Sequence, residues 1–294
     1  LKIPTRDGNP ILEIYDANDL GDRPFKMDAD PMEMTRFYWA TDDKIIFSAR
    51  QKVRDKIDGF NEGVYKSTRG VLTLDKDPKK SKWTKLSEIN GSRGGLLGPI
   101  RTKPNKFITY AYAKGSRYPS YYEYDVKSGR RKLITKESPK VSGIRFDGYG
   151  NPQFGSGYDG GSNEFLTFYR KQGSKDWQVI HRQNRENFET WYPVALDPLS
   201  TTDLLVVAHN GNNTAGLWSF NPDTKEYGEL IYRRSGGDVS TRFHSNRYTS
   251  PDVVTAVRYA DGRDYRYEWF DGEEKAIYEQ LEGFVAHADR LSIS

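Results

Sequence analysis

The chain has 294 residues, of which 35% are hydrophobic and 14% aromatic, with 20 Tyr and no Cys. Its 45 basic and 41 acidic residues give a formal charge of +4. That mixed surface lacks the basic stripe of a nucleic-acid-binding protein, so we expect no nucleic-acid partner. No apolar run approaches the ~18 residues of a membrane-spanning helix. Without Cys, disulfides, thiolate metal sites and cysteine nucleophiles are excluded.

A pair of short apolar strands separated by a polar turn recurs five times, and the copies begin at residues 36, 96, 141, 190 and 252. A second strand pair follows within a copy, as in residues 122–135 (YEYDVKSGRRKLIT). Four short strands in each ~40–50 residues are typical of propeller blades, which must stack on their neighbours to bury both faces. The pattern therefore predicts an all-β fold, a β-propeller of about seven four-stranded blades, five fuller and two partial. An incomplete ring stays an open alternative.

The first three predicted blades contain recognisable tight turns. Residues 11–16 (ILEIYD) are predicted to be outer strands of a blade that lacks its inner strands. The second blade contains residues 38–48, with Asp42 and Asp43 as a turn between apolar arms. The third covers residues 99–135 and turns at residues 128–129 (SG), a dipeptide suited to a hairpin.

The last three predicted blades cover residues 142–180, 192–232 and 253–270. Asp271 follows the sixth, and then Ile277, Leu281 and Phe284 recur at spacings of four and three, which predicts one short amphipathic helix near the C-terminus. No linker composition divides the chain, so we predict one domain over residues 1–294.

The ends suggest an excised segment of a longer protein. The chain opens at Leu1 inside a predicted strand without an initiator Met. Residues 290–294 are predicted to begin a further strand, so the pattern stops in mid-blade.

The motifs of catalysis are missing from the sequence. There is no G-x-S-x-G, and the four histidines, at positions 181, 209, 244 and 287, contain no i, i+4 pair for a metal. Residues 155–160 match G-x-G-x-x-G, but a strand at 165–169 follows where a dinucleotide site needs a helix, so a β-turn is predicted there. We therefore predict no catalytic residue, no metal ligand and no cofactor, and a chain that is not itself an enzyme.

Three segments resemble the blades of bacterial proteins in the prolyl oligopeptidase family. They are residues 39–43 (WATDD) before an apolar strand, residues 192–198 (YPVALDP) before residues 204–207 (LLVV), and residues 217–221 (LWSFN). The resemblance implies an N-terminal propeller that caps a C-terminal α/β-hydrolase domain with a Ser-Asp-His triad. This sequence shows no hydrolase half, so no triad residue is assigned to any position.

The resemblance implies a non-catalytic gating domain that controls peptide access to a serine peptidase site, with the hydrolase domain and the peptide as partners. Its relatives are often exported, which implies a periplasmic or extracellular location, with the cytoplasm as an alternative. The main alternative function is a free-standing TolB-like propeller that acts as a protein-binding scaffold. A propeller lyase or glycosidase would need a cluster of acids, His or metal ligands, which the scattered histidines disfavour.

If the chain is the gating domain, polar side chains on the inner strands and their loops line the central funnel. The candidates for peptide binding are Arg145, Tyr158, Arg242 and Arg258. Arginine suits this task because its planar fork can hold a carboxylate or a peptide carbonyl through two hydrogen bonds.

Overall fold

The computed structural model describes residues 2–3, 10–16, 21–55, 63–86, 94–187, 189–244 and 252–284. These residues form six sheets, in each of which hydrogen-bonded neighbours are consecutive along the chain, and one α-helix. Residues 1–99 and 104–133 belong to one compact unit, and residues 100–103 and 134–294 belong to a second.

The first three sheets contain eleven strands. The first sheet consists of β1 (Lys2–Ile3), β2 (Ile11–Ile14) and β3 (Phe25–Met27). The second consists of β4 (Glu33–Thr41), β5 (Lys44–Arg54), β6 (Val64–Thr73) and β7 (Lys82–Lys85), with a 3-10 turn at Pro78–Lys80. The third consists of β8 (Gly94–Ile100), β9 (Lys103–Tyr112), β10 (Pro119–Asp125) and β11 (Arg131–Lys136).

The remaining sheets lie in the second unit. The fourth consists of β12 (Ser142–Phe146), β13 (Pro152–Asp159), β14 (Glu164–Tyr169) and β15 (Gln178–Asn184). The fifth consists of β16 (Trp191–Leu196), β17 (Leu204–Ala208), β18 (Gly216–Asn221) and β19 (Glu226–Tyr232). The sixth consists of β20 (Val239–Phe243), β21 (Val254–Asp261) and β22 (Asp264–Trp269), after which comes helix α1 (Gly272–Phe284).

The all-β, propeller-type architecture with one short helix is confirmed, but the predicted number of blades is wrong. Within the described ranges there are four four-stranded and two three-stranded sheets, not seven four-stranded blades. The sequence pattern also missed β20, whose residues VSTRF include only two apolar side chains. The final strand predicted at residues 290–294 lies outside the described residues, and one domain over residues 1–294 stays a prediction.

Strand β17 (LLVVA) shows how the sheets of the second unit are held together. Leu204, Val206 and Ala208 face one cluster, which includes residues of β13–β16 and β18. Leu205 and Val207 face the opposite cluster, which includes Val239 and Val257. Because successive side chains of a strand point to opposite faces, a continuous apolar run serves two cores at once. All five side chains are 4% exposed or less, and burying an aliphatic side chain contributes about 1.5–3 kcal/mol.

Strand β5 has the same role in the first unit. Ile45, Phe47 and Ala49 belong to a cluster with Leu12 of β2, while Ile46 belongs to a cluster with Phe107, Tyr124 and residues around them. The alternation along β5 therefore places the second sheet between two apolar layers of this unit.

Gly157 of β13 lies where two backbones approach closely. A Cβ at this position would clash with the carbonyl oxygen of Lys140 and lie 2.9 Å from a ring carbon of Phe168. Only glycine fits here. The G-x-G-x-x-G match is therefore a packing feature of a strand, and its predicted turn is shifted to residues 160–163, after β13 ends.

We expect Gly157→Ala to lower the free energy of unfolding by about 1–3 kcal/mol, because the added methyl group overpacks the sheet. The melting temperature should fall by about 2–4 °C for each kcal/mol in a unit of ~150–250 residues. Differential scanning calorimetry measures this change. Gly98→Ala is the control, since no atom lies within 4 Å of its added Cβ, and a similar loss in both variants would contradict the close approach.

His181 of β15 is a neutral core residue. Its ring stacks on the indole of Trp191, with the centroids 4.2 Å apart and the planes within 7°. Burial lowers the pKa of His181 from its ordinary value to about 4. The imidazole is thus part of the apolar packing between β15 and β16.

This lowered pKa makes stability fall in acid. Above pH ~6.5 His181 is neutral in both states, whereas between pH ~6.5 and ~4 the unfolded chain binds the proton more readily, so the free energy of unfolding falls as the pH falls. We expect a loss of roughly 1–2 kcal/mol, allowing for the partial exposure of the ring. Urea unfolding of wild type and His181→Phe at pH 7 and pH 4.5 measures the difference. If the free energy of unfolding fell by the same amount in wild type and His181→Phe between pH 7 and pH 4.5, His181 would not be the cause of the loss.

Candidate functional site

Arg145 extends from β12, the first strand of the fourth sheet, to β16, the first strand of the fifth. Its Nη2 donates a hydrogen bond of 2.6 Å to the carbonyl oxygen of Pro193. Its Cζ atom lies 4.9 Å from the centroid of the Phe154 ring. One hydrogen bond and one cation–π contact therefore hold the guanidinium, and among the described residues no other hydrogen-bond acceptor contacts its remaining four N–H groups.

The electrostatics link Arg145 to Tyr192 and Arg258. Partial loss of water around the guanidinium lowers the pKa of Arg145, and the negative charge of Asp252 partly offsets that effect, with a further contribution from Tyr192. Burial raises the pKa of Tyr192, and the cations Arg258 and Arg145 partly offset that rise. Two of the four candidate residues, Arg145 and Arg258, thus act on one tyrosine of β16.

Asp252, the acidic residue near Arg145, has an unusual backbone conformation. Asp252 adopts φ = 61°, a left-handed conformation that is uncommon outside glycine, Asn and Asp. Its Oδ2 accepts a hydrogen bond of 2.9 Å from the amide of Gly148, in the turn between β12 and β13. Arg101 holds the same turn, because its Nη1 donates to the Tyr149 hydroxyl at 2.9 Å. The turn beside Arg145 is therefore anchored from two segments distant in sequence.

Arg258 occupies the face of β21 that points away from the apolar cluster of β17. Its Cζ lies 4.6 Å from the Tyr265 ring centroid, and its Nε lies 3.3 Å from Ser240 Oγ. The residue is exposed, so a ligand can reach its remaining N–H groups.

Tyr158 lies at the other end of its sheet. Its hydroxyl donates a hydrogen bond of 2.7 Å to Asn163 Oδ1, and its ring centroid is 5.4 Å from that of Phe165. Tyr158 is four residues beyond Phe154 along β13, a rise of about 13 Å. The structure therefore places it in the β13–β14 hairpin, apart from Arg145.

Arg242 is enclosed by aromatic rings. Its Cζ lies 5.4 Å from the centroid of Tyr267 and 5.3 Å from those of Trp269 and Tyr278. The three rings also contact one another, with centroids 5.2–5.3 Å apart. Because Tyr278 belongs to α1, Arg242 joins the helix to the sixth sheet, and its predicted role in peptide binding stays a prediction.

The sequence analysis missed Tyr192 and Asp252. Tyr192 stands in the segment that resembles a blade motif, and its place on a first strand could have identified it. The left-handed backbone of Asp252 has no signal in the sequence. Within the described ranges, no group of three His, Asp or Glu side chains could hold a metal ion. No helix in that part of the chain is both long and apolar enough to cross a membrane.

We expect Arg242→Gln to loosen helix α1, because it removes a cation from three ring faces. A cation–π contact contributes about 0.5–2 kcal/mol, so amide hydrogen exchange in α1 should accelerate roughly 3- to 30-fold. Exchange mass spectrometry of peptides from residues 272–284 measures this rate. Arg263→Gln, which makes the same charge change in an exposed turn, should leave it unchanged. Equal rates of amide hydrogen exchange in α1 of the two variants would contradict a role of Arg242 in holding the helix.

No protein-family model and no curated protein matches this chain. The structural neighbours include the β-propeller domains of prolyl oligopeptidase-family peptidases, as well as TolB and a periplasmic gluconolactonase. The chain is similar to the β-propeller domain of the trilobed protease from Pyrococcus furiosus, with 9% identity, a TM-score of 0.40, and coverage of 84% of this chain and 83% of that one.

Two further solved structures are longer than this chain. Dipeptidyl peptidase 4 from Porphyromonas gingivalis is 11% identical, with a TM-score of 0.45 over 95% of this chain. TolB from Acinetobacter baumannii is 16% identical, with a TM-score of 0.33 over 90% of this chain. The chain spans 42% of the length of the first and 58% of the second. These values are too low to support an argument about function, which must come from the residues themselves.

Proposed function

We propose that this chain is a non-catalytic, propeller-type domain that binds peptide and controls its access to the hydrolase domain of a prolyl oligopeptidase-like serine peptidase. The observation that supports it is the exposed guanidinium of Arg145, which the Pro193 carbonyl oxygen and the Phe154 ring hold in place on β12. The sequence resemblance of residues 39–43, 192–198 and 217–221 supplies the choice of peptidase.

The electrostatics of Arg145 favour an anionic partner. Arg145 is exposed, so an anion can reach its guanidinium, and nearby protein atoms that partly displace water from the group strengthen the attraction between the two charges. A peptide offers such a charge in its C-terminal carboxylate, which accepts two parallel hydrogen bonds from a guanidinium. We therefore assign Arg145 to carboxylate binding and Arg258 to a second contact with the peptide.

The partners of this domain are the peptide and the hydrolase domain of the same protein, in the periplasm or outside the cell. The same residues would also suit the alternative, a free-standing TolB-like scaffold, where the carboxylate would belong to the C-terminus of a partner protein.

We expect Arg145→Gln to weaken the binding of a fluorescein-labelled pentapeptide about 10-fold, because a hydrogen bond to a charged group contributes about 1.5–3 kcal/mol. Fluorescence anisotropy measures the dissociation constant. The same peptide with an amidated C-terminus should bind wild type and variant equally, since it has no carboxylate. Arg263→Gln is the charge-matched control. An unchanged affinity of Arg145→Gln for the free acid would contradict the assignment.

A second experiment separates gating domain from scaffold. Reading the gene beyond the codon for Ser294 should reveal, for the gating domain, a frame of roughly 250 residues that contains G-x-S-x-G followed by Asp and His. A stop codon within one blade of Ser294 would favour the scaffold.

A third experiment tests whether the chain is catalytic. The chain alone, mixed with a chromogenic peptide, should not hydrolyse it. Hydrolytic activity that copurifies with the protein would refute a non-catalytic role.

A further inference from the structure

A row of two arginines crosses the second sheet, in the first unit. Arg36 of β4 pairs with Ser48 of β5, and Ser48 pairs with Arg69 of β6, so the three side chains share one face. Both arginines are exposed. Because neighbouring strands are ~4.8 Å apart, the two Cα atoms are separated by ~10 Å with only a serine between them. We call Arg36, Ser48 and Arg69 the arginine row.

A β-bulge brings further charges onto this face. Met34 pairs with Ala49 and Arg36 with Ser48, so Thr35 is an extra residue on β4. The bulge places Glu33 opposite Arg50, on the same face as the arginine row. Without it, Glu33 and Arg36 would point to opposite faces, since they are three residues apart.

The acidic side chains beside the arginine row already have partners. Glu33 Oε2 lies 2.7 Å from Arg50 Nε, and Asp55 Oδ1 lies 3.0 Å from Lys52 Nζ. These two carboxylates therefore neutralise Arg50 and Lys52 and not the two arginines of the row. Within the described ranges, no carboxylate forms an ion pair with Arg36 or Arg69, so the row keeps its positive charge.

Tyrosines extend the surface on both sides of the row. Tyr38 pairs with Ile46, one step along the same face, and is 42% exposed. The charge of Arg69 acts on it, partly offsetting the rise in the pKa of Tyr38 that burial causes. On the other side Tyr65 is 43% exposed, with the Arg50 guanidinium 4.7 Å from its ring centroid. Exposed Tyr and Arg together are typical of protein-binding surfaces.

We propose that the arginine row binds an acidic segment of a peptide or protein in extended conformation. Acidic residues at i and i+2 of such a segment point to the same side, ~7 Å apart, so two carboxylates can engage the two guanidiniums together. On the two sides of the arginine row, the apolar parts of the bound segment contact Tyr38 and Tyr65. This site is separate from Arg145 and does not depend on the proposed peptidase role.

The chemistry favours an acidic polypeptide over a nucleic acid. A nucleic acid presents evenly spaced phosphates and needs a continuous basic track. Here the ion pairs Glu33–Arg50 and Lys52–Asp55 interrupt the positive surface beside the arginine row, so no continuous basic track is formed. Two isolated guanidiniums instead match two carboxylates.

The experiment measures fluorescence anisotropy of a labelled decapeptide with Glu at alternating positions and an amidated C-terminus, which leaves no terminal carboxylate for Arg145, added to the whole chain. Its Gln counterpart and a single-stranded oligonucleotide of equal net charge are the comparison probes. We expect the Glu peptide to bind, with Arg36→Gln and Arg69→Gln each weakening it about 5-fold and the double variant by more. Binding should weaken at high salt, because the row is exposed. Arg130→Gln, an exposed arginine in the β10–β11 turn, is the matched control and should bind as wild type does.

Several outcomes would overturn the proposal. They are a Glu peptide that fails to bind at about 1 mM, equal binding of the Gln peptide, tighter binding of the oligonucleotide, and equal affinities of the Arg36→Gln, Arg69→Gln and Arg130→Gln variants. Both arginines are on the surface, so circular dichroism should show all variants folded. Arg145→Gln should not alter binding of the Glu peptide, which distinguishes this site from the proposed peptide site of the second unit.

Discussion

Burial of a strand on both faces is the constraint on which each unit depends. Strand β17 gives Leu204, Val206 and Ala208 to one core and Leu205 and Val207 to another, so no polar residue is tolerated along it. Such a strand cannot serve a binding function itself. Chemistry is therefore confined to the turns and to the exposed positions of the strands. Asp252 lies in a turn, and Arg145 and Arg36 are at exposed strand positions.

The sequence predicted those elements whose apolar pattern is strong, and it failed where packing is one-sided. The fifth sheet was found because LLVVA and its flanking Asp and Pro turns are unmistakable. Strand β20 was missed because Val239 is its only fully buried side chain, so VSTRF resembles a polar loop. Strand β7 (KWTK) was not predicted either, since its side chains are exposed or half-buried.

The candidate site was predictable by residue type but not by arrangement. Arg145 and Arg258 lie on strands, as the repeat pattern predicted, and their role in peptide binding stays a prediction. The surroundings of Arg242 could not be predicted, because rings that are 25, 27 and 36 residues later in the sequence enclose it only after β22 and α1 have folded. Asp252 was not predicted, because most Asp residues do not adopt the left-handed backbone on which its contact with the turn at Gly148 depends.

The aromatic composition explains why so few arginines are free to bind. Cations of the sheets repeatedly lie over a ring of a nearby strand, as Arg131 does over Tyr122 and Arg234 over Tyr259, with Cζ–centroid distances of 4.7 and 4.1 Å. A ring face holds the guanidinium plane and partly replaces its hydration, while leaving its edge N–H groups available. Arg145 keeps this arrangement with Phe154 and so can hold a carboxylate in a fixed orientation. Within the described ranges, neither Arg36 nor Arg69 lies over an aromatic ring or forms an ion pair with a carboxylate. An anion that binds between the two guanidiniums would therefore reduce their mutual repulsion.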